Sequence, residues 1–231
     1  MKVLITGATG TIGSEILKQC LQRENIHEII AFARKNIPST SPKFSCILMQ
    51  DFKSWNEDIL NKIKDADVMI WAMGTFNGSG EVDLQYPLTF QKLFLEAMTP
   101  RQGKPRFRYI HLSGALCEPD QEKMLLFMSA PRKVRGLAEK KSLEFAEENK
   151  EVWQTCVVRP GSVLVGNSVR NKVQESVLGK NWAIRGEELG AFVAELVVKG
   201  GIEESAVVVE NLRMVERGRE ILKESKGAGG L

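Results

Sequence analysis

Apolar residues fall into short β-branched runs that alternate with longer stretches in which they recur every three or four positions. Lys2 to Thr6 reads as a buried strand, and Thr11 to Arg23 as a helix carrying Ile12, Ile16, Leu17 and Cys20 on one face. Glu28 to Ala33 and Phe44 to Met49 are the next two strands, joined by a Pro- and Ser-rich loop, Lys35 to Lys43. Ser54-Trp55-Asn56-Glu57 has the form of a capping box and predicts a helix to about Lys64. Ala66 to Ala72 is a fourth strand, Val82 to Met98 a helix ending before Pro100, and Phe107 to Leu112 a fifth strand. A long helix is predicted over Arg132 to Asn149 and a sixth strand over Val152 to Arg159. A helix at Glu187 to Lys199, a strand at Ala206 to Val209 and a last helix at Leu212 to Lys223 follow. Strands alternating with helices, without repeats or a linker, predict a single-domain α/β fold: a doubly wound parallel sheet of Rossmann type with helices on both faces. The expected division is one domain over 1–225, with a small C-terminal portion (about 160–225), and a flexible tail over 226–231.

The turn between the first strand and first helix reads Gly7-Ala8-Thr9-Gly10-Thr11-Ile12-Gly13. Gly7 permits a tight turn, Gly10 lets backbone approach a pyrophosphate, and Gly13 lets the helix lie close to the sheet. The helix N-terminus then offers unpaired N–H groups and a favourable dipole to an anion. Strand, loop and helix stand where phosphate binding needs them, which a glycine pattern alone would not establish.

Composition narrows the partners. The 231 residues are 43% hydrophobic and carry 32 Lys and Arg against 29 Asp and Glu. One domain of that length can bury a large core without staples. The charge balance does not suggest a nucleic-acid surface, and the basic run Arg101 to Arg108 lacks interleaved stacking aromatics beyond Phe107. No apolar run approaches the roughly 18 residues of a membrane helix. Four scattered cysteines and two histidines lack metal-ligand spacing and read as reduced thiols. The chain enters a strand at once, so a cytoplasmic protein without a leader is expected. Glu144, Glu147 and Glu148, interspersed with lysines, read as a solvated helix face rather than as paired catalytic carboxylates.

The Gly-x-x-Gly-x-x-Gly spacing after Thr6 resembles the short-chain dehydrogenase/reductase superfamily, in its extended and atypical branches. Gly74-Thr75 after the fourth strand, Ser113-Gly114 after the fifth and Arg159-Pro160-Gly161 at the sixth extend the resemblance over nearly the whole chain. Gly136-Leu137-Ala138-Glu139 is similar to a Gly-x-x-Glu segment of small NmrA-like and Tat-interacting-protein-like oxidoreductases. The resemblance implies a nicotinamide dinucleotide held by Gly7, Thr9, Gly10, Thr11, Ile12 and Gly13, by Ala72, Met73 and Gly74, and by Pro160 and Gly161. Asp51 and Phe52, at the end of the third strand, take the place of adenine contacts, although Asp51 could equally cap the next turn. At the end of the second strand Arg34 and Lys35 stand where a carboxylate would select NAD, so NADP is expected in preference to NAD, with a solvated basic pair as the competing reading.

The resemblance also implies a catalytic Tyr, a Lys four residues later and a Ser after the fifth strand. Ser113 fits, but Pro131 falls at the Tyr position and Arg135 at the Lys position. Proline has no proton to give, and an arginine binds ribose or offsets charge without acting as a base. Sliding to Ser129 and Lys133 breaks the match to Gly136 and Glu139. Tyr86 borders the expected pocket and is the remaining candidate, with a packing role as the competing reading; Tyr109 and His111 read as core. Met73, Met124, Leu125, Phe127 and Met128 either line an apolar ligand site or fill core. The expected activity is an atypical NADP-dependent reduction of a small apolar or aromatic carbonyl or enone compound. A non-redox tailoring enzyme and an NmrA-like dinucleotide-sensing regulator remain open beside it. The expected partner is a small molecule, with no nucleic acid or membrane, and the chain a monomer or homodimer.

Overall fold

A computed structural model describes residues 1–101, 103–166, 168–200 and 205–228. The first half runs β1 (Lys2–Thr6), α1 (Thr11–Leu21), β2 (Glu28–Ala33), β3 (Phe44–Leu48), α2 (Glu57–Ile63) and β4 (Val68–Trp71). A π-helical turn, Gly80–Gln85, leads into α3 (Tyr86–Ala97) and β5 (Phe107–Leu112). Then come α4 (Ser129–Glu148), β6 (Trp153–Arg159), β7 (Ser162–Leu164), α5 (Val169–Trp182) and β8 (Ala183–Arg185). The chain continues with α6 (Gly186–Lys199), β9 (Ala206–Glu210) and α7 (Asn211–Ala228).

Seven strands form one sheet in the order β3-β2-β1-β4-β5-β6-β9, every neighbouring pair parallel. The strands are apolar on both faces because helices cover both, and alternation sorts their side chains into two layers. Ile5, Ile70 and Ile110 join Ile16 of α1 and Val193 and Val197 of α6 in an aliphatic layer. Trp71, Phe107, Tyr109 and Trp153 join Phe90 and Phe94 of α3 in an aromatic layer. Within the latter, Phe90 stacks on Phe94 with centroids 5.2 Å apart, and Phe107 lies 4.7 Å from Trp153. The order reverses between β1 and β4, and ligand sites of open parallel sheets lie at the strand C-termini beside such a switch.

Four local readings change. Trp55 is buried and donates Nε1–H to the Phe52 carbonyl at 3.0 Å, which keeps Ser54 and Trp55 in the loop. Helix α2 is therefore capped by Asn56, whose side chain accepts from Ile59 N, and not by Ser54. The helix expected from Val82 begins as the π-helical turn because the Asp83 carboxylate is drawn back into the preceding loop. Residues 162–185 hold two short paired strands and α5, none of which was expected. Three-residue strands have no legible period, and Val169, Val173 and Val177 of α5 face solvent, with a kink at Gly179 (φ +65°). Finally, α7 runs to Ala228, so residues 226–228 of the expected tail are helical; 229–231 lie outside the described residues.

Candidate functional site

The β1–α1 turn is built as a cradle. Gly7 takes φ +70°, and a Cβ there would collide with the Ala72 carbonyl at the end of β4. Gly7 O accepts from Gly10 N at 2.9 Å, and Gly10 occupies the N-cap of α1 in extended conformation. No side chain caps this helix and no acidic residue stands in its first turn, so its first N–H groups and dipole are left for an anion. Thr11, Ile12 and Gly13 wall one side of a cavity of about 460 Å³, with Ala72, Met73 and Gly74 opposite. Ser113 and Arg135, expected at the reaction centre, line the same cavity. Thr9 is exposed in the turn and is not among the lining residues.

The floor between β4 and α3 is organised by Asp83, which is 6% exposed. Its Oδ1 accepts from Thr75 N at 2.9 Å, and its Oδ2 accepts from Ser79 N at 2.7 Å and from the Thr75 hydroxyl. Arg135, reaching from α4, pairs with Asp83 Oδ1 at 3.7 Å. It donates Nη2–H to the carbonyls of Thr75 and Phe76, the latter at 3.2 Å. The guanidinium thus holds the loop that forms the cavity floor. The sequence reading gave this guanidinium ribose or developing charge to bind; its hydrogen bonds here go to the loop, and it still lines the cavity.

A second cavity of about 430 Å³ adjoins the first, and Phe76 and Arg135 border both. Pro160 and Gly161 line this one and not the first cavity, together with Ala115, Leu116, Met128, Leu178 and Trp182. Pro131 and Arg135, one turn apart on α4, both face it. The resemblance placed a tyrosine and a lysine at these positions; the structure shows a ring without a proton and a guanidinium committed to the loop. Ser113 donates its hydroxyl to Cys117 Sγ at 3.1 Å, joining a wall of one cavity to a wall of the other. Burial, the larger effect, pushes the Cys117 thiol up from its ordinary pKa, so it stays protonated at neutral pH.

Other expected residues fall elsewhere. Arg34 and Lys35 are exposed just beyond β2 and make no ion pair among the described residues; the Arg34 carbonyl accepts from Gln50 Nε2 at 3.2 Å. Asp51 accepts from Lys53 N at 2.9 Å, the turn-capping alternative. Phe52 is 2% exposed, with its ring 6.5 Å from Trp71, so its side chain serves the aromatic layer instead of a ligand. Tyr86 lies 5.8 Å from the Phe52 ring and lines neither cavity, and burial raises its pKa. Its contact with Phe52 is the arrangement given as the competing reading, and it lies outside both cavities. Met124 and Phe127 are exposed beside the second cavity without lining it, and Leu125 is half-buried, so none of the three belongs to the core. Gly136 and Glu139 also have structural work: Gly136 lies against the Glu118 carbonyl, and buried Glu139 takes a bidentate pair from Arg159, 3.1 Å at Nε and 2.5 Å at Nη2.

Sequence reasoning missed Asp83 and Cys117, and read His111 only as core. His111 is 4% exposed and borders the first cavity, and its Nδ1 has no hydrogen-bond partner among the described residues. Burial lowers its pKa to about 4 against a smaller opposing effect of Asp83, leaving a neutral imidazole. Among the described residues no cluster of His, Cys, Asp or Glu is placed to hold a metal, and no helix is long and apolar enough to cross a membrane.

A family model described as NAD(P)H-binding matches residues 7–199. An oxidoreductase of Lactococcus lactis, ylbE, superimposes with a TM-score of 0.67 at 17% identity, covering 96% of this chain and 97% of that one. A short-chain dehydrogenase/reductase of Saccharomyces cerevisiae gives 0.65 at 14% identity over 90% and 95% of the two chains. MoeE5, solved with UDP-glucose and NAD, gives 0.60 at 16% identity over 96% and 82%. At these identities the likeness is one of fold. Two curated relatives match a shorter stretch. Leucinostatins biosynthesis cluster protein T of Purpureocillium lilacinum is 32% identical over 76 residues, 32% of this chain and 28% of that protein. Protein FMP52, mitochondrial, of Meyerozyma guilliermondii is 33% identical over 75 residues, 32% of each. The match spans less than a third of either relative.

Proposed function

The chain belongs to the NAD(P)H-binding family, and from that premise we propose that it is an NADP-dependent oxidoreductase of a small apolar or aromatic carbonyl or enone compound, working without a tyrosine proton donor. The observation that carries this reading is the junction of an uncapped, glycine-cradled groove with a second, apolar cavity at Phe76 and Arg135. The cradle fits a dinucleotide: Gly7 lies too close to the Ala72 carbonyl to carry a side chain, and no side chain among the described residues caps the helix end. When bound, the nicotinamide supplies or accepts a hydride.

The chain's own residues hold and orient. The N-terminus of α1 receives the pyrophosphate, and the free cations Arg34 and Lys35 receive the 2′-phosphate that distinguishes NADP from NAD. Ser113, at the groove's edge, positions a carbonyl oxygen by donating its hydroxyl, which it now gives to Cys117. Arg135 keeps Thr75 and Phe76 in place as the wall between the cavities. Reduction of a carbonyl adds a hydride to carbon and a proton to oxygen. Because Pro131 has no proton, solvent provides it.

The reading is tested by mixing the protein with NADPH and a panel of aryl ketones and enones while following the absorbance of the reduced nicotinamide. Loss of that absorbance matched by alcohol or saturated product is the expected result. Product without any loss of NADPH would replace it with non-redox chemistry on the same scaffold. That second reading draws on the absent hydroxyl at Pro131 and on the similarity to a biosynthesis-cluster protein.

A further inference from the structure

The second cavity carries a charge that its shape does not need. Its walls are apolar, from Ala115, Leu116, Met128, Pro131, Leu178 and Trp182, and among the described residues no carboxylate lines it. Two guanidiniums do, and they differ. Arg135 is committed to Asp83 and to two carbonyls of the loop after β4. Arg132 spends only Nε, on the Leu116 carbonyl at 2.7 Å, and its guanidinium carbon lies 4.9 Å above the Phe127 ring. Its charge is in no ion pair among the described residues, and nearby Glu118 is taken by Lys123 at 2.6 Å. The N-terminus of α4 opens on the same wall: its N-cap is Met128, no side chain caps it, and its first turn holds no acid. An unpaired cation and a positive helix end beside an apolar cavity favour an apolar molecule bearing an anion. Around the mouth, Phe76, Leu126, Phe127 and Trp182 remain at least half exposed, enough to cover an apolar body longer than the cavity.

We propose that this cavity binds an amphipathic monoanion, an aryl or alkyl carboxylate or sulfonate, with its charge on Arg132 and its apolar body against Leu178 and Trp182. The proposal rests on reading this cavity as the substrate side of the proposed oxidoreductase and narrows the substrate to an acid. Arg132 acts as a specificity residue: it selects the charged form of an apolar ligand and takes no part in the dinucleotide groove.

The test needs neither turnover nor cofactor. 1-Anilinonaphthalene-8-sulfonate and N-phenyl-1-naphthylamine share a ring system and differ by the sulfonate. Their binding is followed by probe fluorescence and by quenching of Trp182, the one exposed tryptophan beside buried Trp55, Trp71 and Trp153. The sulfonate is expected to bind about tenfold or more tightly, as one charge-assisted contact implies. Decanoate should displace it and decanol should not. Arg132→Gln should remove the preference and leave the neutral probe unchanged, while Arg132→Lys, which also loses the Leu116 bond, should restore most of it. Leu178→Trp, filling the cavity, should abolish binding of both probes. Equal binding of the two probes, a preference surviving Arg132→Gln, or binding surviving Leu178→Trp would each overturn the proposal. NADPH affinity of the same variants, expected to match the native protein, separates this outcome from failure of the oxidoreductase reading.

Discussion

His111 is held neutral by burial, with a pKa near 4 where an exposed imidazole titrates near 6.5. The unfolded chain therefore binds a proton at this residue that the native state refuses. The sign follows: stability is complete above pH 6.5 and falls as pH drops from 6.5 toward 4, by about 3 kcal/mol in all. Replacing the ring by Phe should flatten urea-denaturation stability between those pH values, and an unchanged slope would mean that other groups drive it. At this scale the sequence spoke where chemistry is local. The glycine turn and the placement of Ser113 just after a strand are legible because each depends on spacing from one strand end. Asp83 is not, since its role comes from the Thr75 and Ser79 backbone folding over it. The orphan Nδ1 of His111 is equally invisible, because alternation predicts that a strand residue is buried and says nothing about who meets its nitrogen.

Elements follow the same division. The strands of the main sheet are apolar on both faces and bounded by turn residues, so their period and length identify them. Helix α5 hides because Val169, Val173 and Val177 point outward, against the rule that an apolar stripe faces the core. The segment from Met73 to Tyr86 is the element on which both cavities depend. Asp83→Ala would strand the Thr75 and Ser79 amides and free Arg135 from its ion pair. A loss of about 2 kcal/mol is expected in urea melts. Amide exchange should quicken over residues 75–80 while β5 and β6 stay protected. Uniform exchange, or no loss of stability, would show that the loop is held by something else.

At the scale of the molecule, a parallel sheet with one switch point sets a helix end without a side-chain cap beside an apolar cavity. The C-terminal portion from β7 to α5 supplies the far wall through Ser162, Leu178 and Trp182. The pair of Glu139 on α4 with Arg159 on β6, itself 3.1 Å from Glu210 on β9, ties α4 to the sheet. The central claim is that the groove between β1 and β4 holds NADP(H), with Arg34 reading the 2′-phosphate. Its most direct test is a calorimetric titration of the protein with NADPH, NADP and NADH, repeated on Arg34→Ala. The account predicts NADPH binding tighter than NADH by about tenfold or more, and a loss of that margin in Arg34→Ala with NADH affinity unchanged. Equal affinities in the native protein, or no binding of any dinucleotide, would contradict it.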